Sequence, residues 1–278
     1  MARIIGVCNQ KGGTGKTTTA INLSSYLALS NHKTLLIDID PQGNATSGVG
    51  FNAADKKSIY DVIADTATLK ESVYPTCWPN LSIIPSNISL TGGEIELVNV
   101  ENRELRLQET VQKLKDEFAY IIIDAPPSLG LLTVNVFSAA DSLVIPIQCE
   151  YYALEGVSNL LHTIDLIRER LNSRLEIEGF LLTMADFRTR LTLQVIEEVR
   201  KFFKDKTFNT IIPRNIKLAE APSFGKPIHC YDPFCVGAKA YLNLTEEILK
   251  EKVLVDYLVQ EVCETQPSPD LQMDKLPT

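Results

Sequence analysis

The chain has 278 residues, with 27 basic against 35 acidic side chains, a formal net charge of −8, 45% apolar and 22% charged residues. At roughly 150 residues per domain it can hold one large or two modest domains, and this balance excludes a wholly disordered or collagen-like chain. Taken as a total, the negative charge argues against nucleic acid or an anionic membrane as partner. No run of about 18 apolar residues is present, and the opening MARIIGVCNQKGG lacks a signal peptide's apolar stretch and cleavage site, so the expectation is a cytoplasmic protein. Cys8, Cys77, Cys149, Cys230, Cys235 and Cys263 are scattered without metal or redox spacing and read as reduced core or surface thiols.

The first predicted strand, Ile4 to Cys8, runs into Lys11-Gly12-Gly13-Thr14-Gly15-Lys16-Thr17-Thr18, and a helical pattern follows from Lys16 to Ser30. A glycine-rich turn between strand and helix lets backbone N–H groups converge on phosphate oxygens, while the helix N-terminus adds positive partial charge. Lys16 then reaches the outer phosphates and Thr17 is placed to ligate Mg²⁺. Gln10 stands where the general phosphate-loop pattern has glycine, so the loop is a variant, and Lys11 is an added cation. Such context makes nucleotide binding the reading of this segment.

Next comes the strand Thr34 to Asp38, which continues into Asp40-Pro41-Gln42-Gly43-Asn44. The strands Leu81 to Pro85 and Tyr120 to Asp124 follow, with a helix from Arg103 to Phe118 between them. Ligands of open parallel sheets sit outside the carboxyl ends of the strands, so Asp38, Asp40 and Asp124 all face the edge that carries the phosphate loop. One can hold Mg²⁺ and another can orient water; for each singly, a turn or cap is the alternative.

Further strands at Ser142 to Ile147, Gly179 to Met184 and Thr210 to Pro213 alternate with helices at Leu154 to Leu171 and Leu191 to Phe203. The strands scarcely alternate in polarity, as central strands covered on both faces do. The fold class is therefore α/β: a doubly wound, mostly parallel sheet flanked by helices. A last helical pattern spans Val236 to Cys263, with six acidic and two basic residues between Glu246 and Glu264, which argues against a membrane-surface helix. Residues 1–264 read as a single domain, and 265–278, rich in proline and polar residues, as a disordered tail.

Four separated blocks, KGGTGKTT, DIDPQGNAT, IIIDAPPSLG and IPRNIKLAEAPSFGKPI, resemble the ParA/Soj group of chromosome- and plasmid-partitioning ATPases, within the MinD-like deviant-Walker class. The resemblance covers about residues 2 to 250 and implies a slow ATPase using ATP and Mg²⁺. Lys11 matches the lysine that reaches across a nucleotide-sandwich homodimer to the partner's ATP. Gly12, Gly13, Thr14, Gly15, Lys16, Thr17 and Thr18 match the loop that holds the phosphates within one subunit. Asp40 matches the residue that positions the hydrolytic water; Asp124 matches the carboxylate near the metal, and Asp38, in the same switch, is counted with Thr17 and Asp124 as a candidate metal ligand. Pro213 and Arg214 resemble the segment that packs on adenine, a purely structural turn being the alternative. Arg188 and Lys217 fall at positions that resemble the family's contacts to nonspecific double-stranded DNA.

The implied DNA binding is reconciled with the acidic total by the distribution of charge. Between Arg188 and Lys226 there are nine basic and four acidic residues, a local +5 that leaves −13 for the rest. A basic patch duplicated in a dimer releases counterions whatever the total charge. The family further implies a ParB-like centromere-binding partner that stimulates hydrolysis, and a nucleoid-associated location. The alternative is a MinD-like membrane-associated spatial regulator. A metal-cluster electron donor of the nitrogenase iron-protein type is disfavoured, because no cysteine closely follows IIIDAPPSLG.

Overall fold

In the computed structural model the described residues are 1–88, 90, 96–97, 100–150, 153–154 and 156–253. Eight strands form one sheet: β1 (Arg3–Val7), β2 (Thr34–Asp38), β3 (Tyr74–Pro75), β4 (Leu81–Ile84), β5 (Tyr120–Asp124), β6 (Ser142–Gln148), β7 (Glu176–Ala185) and β8 (Thr207–Pro213). Their order is β3-β4-β2-β5-β1-β6-β7-β8, and every pairing is parallel except that of the two-residue β3 with β4. The α-helices delimited among the described residues are α1 (Lys16–Leu29), α2 (Asn44–Gly48), α3 (Ile59–Ile63), α4 (Leu69–Ser72), α5 (Arg106–Gln112), α6 (Leu131–Ala139), α7 (Val157–Arg170), α8 (Arg190–Phe203), α9 (Ile216–Glu220), α10 (Ile228–Tyr231) and α11 (Val236–Leu249).

The unbroken apolar strands serve two cores at once. Along β1, β2 and β5 successive side chains alternate: Ile4, Leu35, Ile37, Ile121 and Ile123 join one cluster, while Ile5, Leu36 and Ile122 join the other. Helices α6, α7 and α8 cover the first face; α1 and α11 cover the second, where Tyr26 donates to the Ala238 carbonyl at 3.0 Å. This is the doubly wound α/β architecture read from the sequence.

Four expectations change in detail. The helix expected from Arg103 to Phe118 is a 3-10 turn at Arg103–Leu105 and then α5, after which amides of Lys113, Leu114 and Glu117 bond three residues back and tighten the chain. The seventh strand is longer than Gly179 to Met184, and its register shifts near its end, where Met184 has φ 53°. Among the cysteines, Cys8, Cys77, Cys149 and Cys235 are free, but Cys230 is disulfide-bonded, a correction at that position; spacing rules test only close pairs and carry no signal for it. The last helix, expected from Val236 to Cys263, stops at Leu249, where Lys250 turns into the left-handed region (φ 61°); the rest of that stretch beyond Val253 and the tail at 265–278 lie outside the described residues.

One close approach joins distant segments. Gly50 (φ 77°) and Gly225 (φ 62°) let two turns meet backbone to backbone: a Cβ on Gly50 would stand 2.7 Å from the Gly225 carbonyl oxygen. Only glycine accepts both the positive φ and the contact.

Candidate nucleotide-binding site

The loop after β1 is shaped by its own sequence. Asn9 accepts from the Lys11 amide at 3.0 Å and donates to the Pro146 carbonyl at 2.7 Å, fixing the departure from the sheet. Gly13 (φ 71°) and Gly15 (φ 89°) take left-handed conformations, and Gly15 caps α1. Thr14 is buried, its carbonyl accepting from the Thr183 hydroxyl at 2.8 Å. Gln10, the departure from the general pattern, donates to the Gly156 carbonyl at 2.6 Å and so ties the loop to the start of α7. Its role had no signal in the sequence beyond the mismatch.

Lys16 is 6% exposed, and its ammonium donates to the Lys11 carbonyl at 3.1 Å. Burial lowers its pKa, opposed by the charges of Asp124 and Asp40. Gly12, Gly13, Thr17, Thr18 and Asp40 line, with Lys16, a cavity of about 330 Å³.

The parallel register sets Asp38 opposite Asp124 at the ends of β2 and β5, both fully buried. Their surroundings differ. Asp38 accepts from the Asp40 amide (3.1 Å), the Thr46 amide (2.8 Å) and the Thr46 hydroxyl (2.7 Å), so both its oxygens are engaged. Burial still raises its pKa to about 6. Neither oxygen of Asp124 has a hydrogen-bond partner; the Thr17 hydroxyl lies close enough to favour the charged form but outside hydrogen-bond geometry. Burial, then Asp38, pushes the Asp124 pKa well above the usual carboxylate range. Asp40, 7% exposed, accepts from the Gln42 amide at 3.0 Å and faces the cavity.

A second cavity of about 320 Å³ adjoins the first and shares Gly15, Thr18 and Met184 with it. Pro213 and Arg214 line it, together with Thr183, Ile212, Asn215, Leu218 and Tyr241. Its walls are predominantly apolar, which suits a flat ring beside a polar phosphate cradle. Met184, in the left-handed region and lining both cavities, was not legible in the sequence, since nothing in residue type marks a strained position. Glu150 was also missed: it lies 3.9 Å from the Lys11 ammonium and 3.6 Å from the Arg214 guanidinium, and accepts from Gln148 at 2.6 Å.

The two residues assigned to DNA lie outside these cavities. Arg188 pairs with Asp186, whose pKa its hydrogen bonds hold down at about 2. Lys217, on α9, pairs with Glu220 at 3.0 Å. Among the described residues no group of three His, Cys, Asp or Glu side chains is arranged to hold a metal by itself, and no helix is long and apolar enough to cross a membrane. Mg²⁺ sites completed by phosphate oxygens need no such cluster.

Comparison with known proteins bears on this site directly. A family profile described as AAA domain matches residues 2–177. The sporulation initiation inhibitor protein Soj of Bacillus subtilis (strain 168) is 55% identical over 249 residues, covering 89% of this chain and 98% of that protein. The chromosome partitioning protein ParA of Myxococcus xanthus (strain DK1622) is 52% identical, covering 90% of this chain and 89% of its own length. Among solved structures, a cobyrinic acid a,c-diamide synthase from Mycobacterium smegmatis with bound ADP and magnesium is 34% identical, with TM-score 0.73, over 81% of this chain and 93% of that chain. An ATP complex of Cyanothece McdA, at 22% identity, shares the fold with TM-score 0.83 over 91% of this chain and 98% of its own. Phosphate loop, strand-end carboxylates and these relatives agree: the chain belongs to the Soj/ParA family of chromosome-partitioning ATPases.

Proposed function

We propose that the chain is an ATP-dependent DNA-partitioning ATPase in which residues 1–264 act as one domain, ATP binding drives sandwich dimerisation and nonspecific DNA binding, and hydrolysis releases the DNA. The observation that carries the nucleotide reading is the Asp124 carboxylate: two buried oxygens without hydrogen-bond partners, at a strand end beside Thr17 and Lys16. Such an orphaned acceptor pair is costly unless a cation completes it. The residues present fit Mg²⁺: Thr17 would supply a hydroxyl and Asp124 a carboxylate, whereas Asp38, expected beside them as a ligand, has both oxygens engaged by the Asp40 amide and Thr46 and steadies the adjoining loop instead. When bound, Mg²⁺ neutralises phosphate charge during phosphoryl transfer.

The chain's own groups carry the rest of the reading. Amides from Gly12 to Thr18 and the Lys16 ammonium hold the phosphates at the start of α1. Pro213 and Arg214 border the adjoining cavity, where the base sits beside Met184. Asp40 orients the attacking water. Lys11, with 42% of its side chain exposed, reaches the ATP of a second copy, supplying a cation from another chain as an arginine finger does. Arg188 and Lys217 contact DNA phosphate. A ParB-like partner stimulates hydrolysis, and the protein is cytoplasmic and nucleoid-associated rather than bound to membrane.

Light scattering after size exclusion, with ATP and Mg²⁺ and with or without random-sequence DNA, tests the reading together with phosphate release. The expected result is a dimer only with ATP, DNA bound only by the dimer, and hydrolysis that rises with DNA and the partner. A chain that stays monomeric with ATP, or binds anionic vesicles and not DNA, overturns it.

A further inference from the structure

Both cations assigned to DNA already hold an anion of this chain. Arg188 directs Nε and Nη2 at the two oxygens of Asp186 at 2.8 and 2.7 Å, and its amide donates to the same carboxylate at 3.1 Å. The guanidinium thus offers a carboxylate the two-pronged edge that it would offer a phosphate. Its side chain is 87% exposed against 25% for Asp186, so the acid lies beneath and the cation outermost. Lys217 repeats the arrangement with other parts. Its ammonium lies 3.0 Å from Glu220 and 5.5 Å from the centre of the Tyr231 ring, and Tyr231 donates to the same Glu220 oxygen at 2.9 Å. Glu220 is held by two partners and does not swing away freely. Arg190, Lys201 and Lys204, in the same basic stretch, make no ion pair among the described residues.

We propose that Asp186 and Glu220 are intramolecular stand-ins for DNA phosphate, which compete with the duplex for Arg188 and Lys217 and so set its affinity and salt dependence. The inference rests on the DNA reading above. A phosphate must displace the carboxylate or approach beside it. In either case the acid remains near the duplex and cancels part of the counterion release that a free cation would give. The device keeps the affinity of each subunit low, so that firm binding needs the doubled surface of a dimer.

Asp186→Asn and Glu220→Gln test this, because each removes the charge and leaves an oxygen able to accept from the same donors. Anisotropy of a labelled random-sequence duplex is measured across a salt series, with Mg²⁺ and a slowly hydrolysed ATP analogue, alongside Arg188→Ala and Lys217→Ala. Each neutral variant is expected to tighten binding about three- to tenfold, in line with an exposed ion pair, and to steepen the salt slope by about one per freed cation. Thermal melting identifies variants that fold, and either acid alone suffices for the test. Unchanged affinity and slope in a folded variant overturns the masking, while loss of binding in the alanine variants leaves the DNA reading standing. If the wild type binds no duplex, the DNA reading itself falls, and this inference with it.

Discussion

Replacing Asp124 by asparagine separates what the carboxylate costs the empty protein from what it contributes with nucleotide. Its two oxygens are fully buried and unpartnered, and a polar group so placed costs about 1–3 kcal/mol, more when charged. Asparagine keeps the shape and removes the ionisable group. The nucleotide-free variant should therefore melt within about 3 °C of the wild type or above it, since 1 kcal/mol is worth about 2–4 °C in a chain of this size. At a hundredfold excess over Kd, a ligand stabilises by about 2.7 kcal/mol, or roughly 5–10 °C. A hundredfold loss of affinity leaves about 0.4 kcal/mol of that, a shift under about 2 °C. Calorimetry with and without Mg²⁺ and a slowly hydrolysed ATP analogue measures both numbers. A nucleotide-free variant melting far below the wild type, or one that keeps the full ligand shift, would refute the reasoning.

Lys16→Ala removes the buried ammonium at the loop and should abolish the nucleotide-induced melting shift, read in the same experiment. Asp40→Ala should lower phosphate release at least about a hundredfold while leaving an ATP-dependent dimer, a loss typical of general-base positions; hydrolysis at the wild-type rate would exclude Asp40 from the water's position. Thr46→Val takes a 2.7 Å hydrogen bond from Asp38 and the acceptor of the Ser86 amide at 3.0 Å, and should cost about 2–4 kcal/mol in urea unfolding. Asp38 has its pKa raised from 3.8 to about 6, so the folded state holds that proton more tightly than the unfolded chain. Its contribution is full below about pH 4 and is lost as pH rises through about 6. Unfolding of the nucleotide-free protein between about pH 3.5 and 7 should show that fall, and Asp38→Asn should lessen it without abolishing it, because burial raises Asp124 in the same direction.

The sheet was legible because its strands are apolar on both faces, a pattern that suits a doubly covered parallel sheet once helical segments alternate with the strands. Asp38 and Asp124 were legible as strand ends for the same reason. What residue types could not convey is which carboxylate is satisfied: Thr46 lies eight residues beyond Asp38, and its reach depends on the turn of α2. The tether from Gln10 to Gly156 crosses 146 positions, and Met184 is marked by its backbone alone. The basic stretch was counted from Arg188, which left out Asp186 two residues earlier. Net charge over a segment is an electrostatic quantity only when its ion pairs are known.

The meeting of Gly50 and Gly225 has a mechanical consequence. A contact made by side chains can yield through a change of rotamer, whereas two backbones in direct touch have nothing between them to give. The turn that ends the stretch from Asp40 to Gly50 therefore bears without slack on the turn that ends the stretch from Asn215 to Gly225. One stretch carries a cavity carboxylate and the other carries Lys217, and a displacement that reaches either turn is passed to its neighbour.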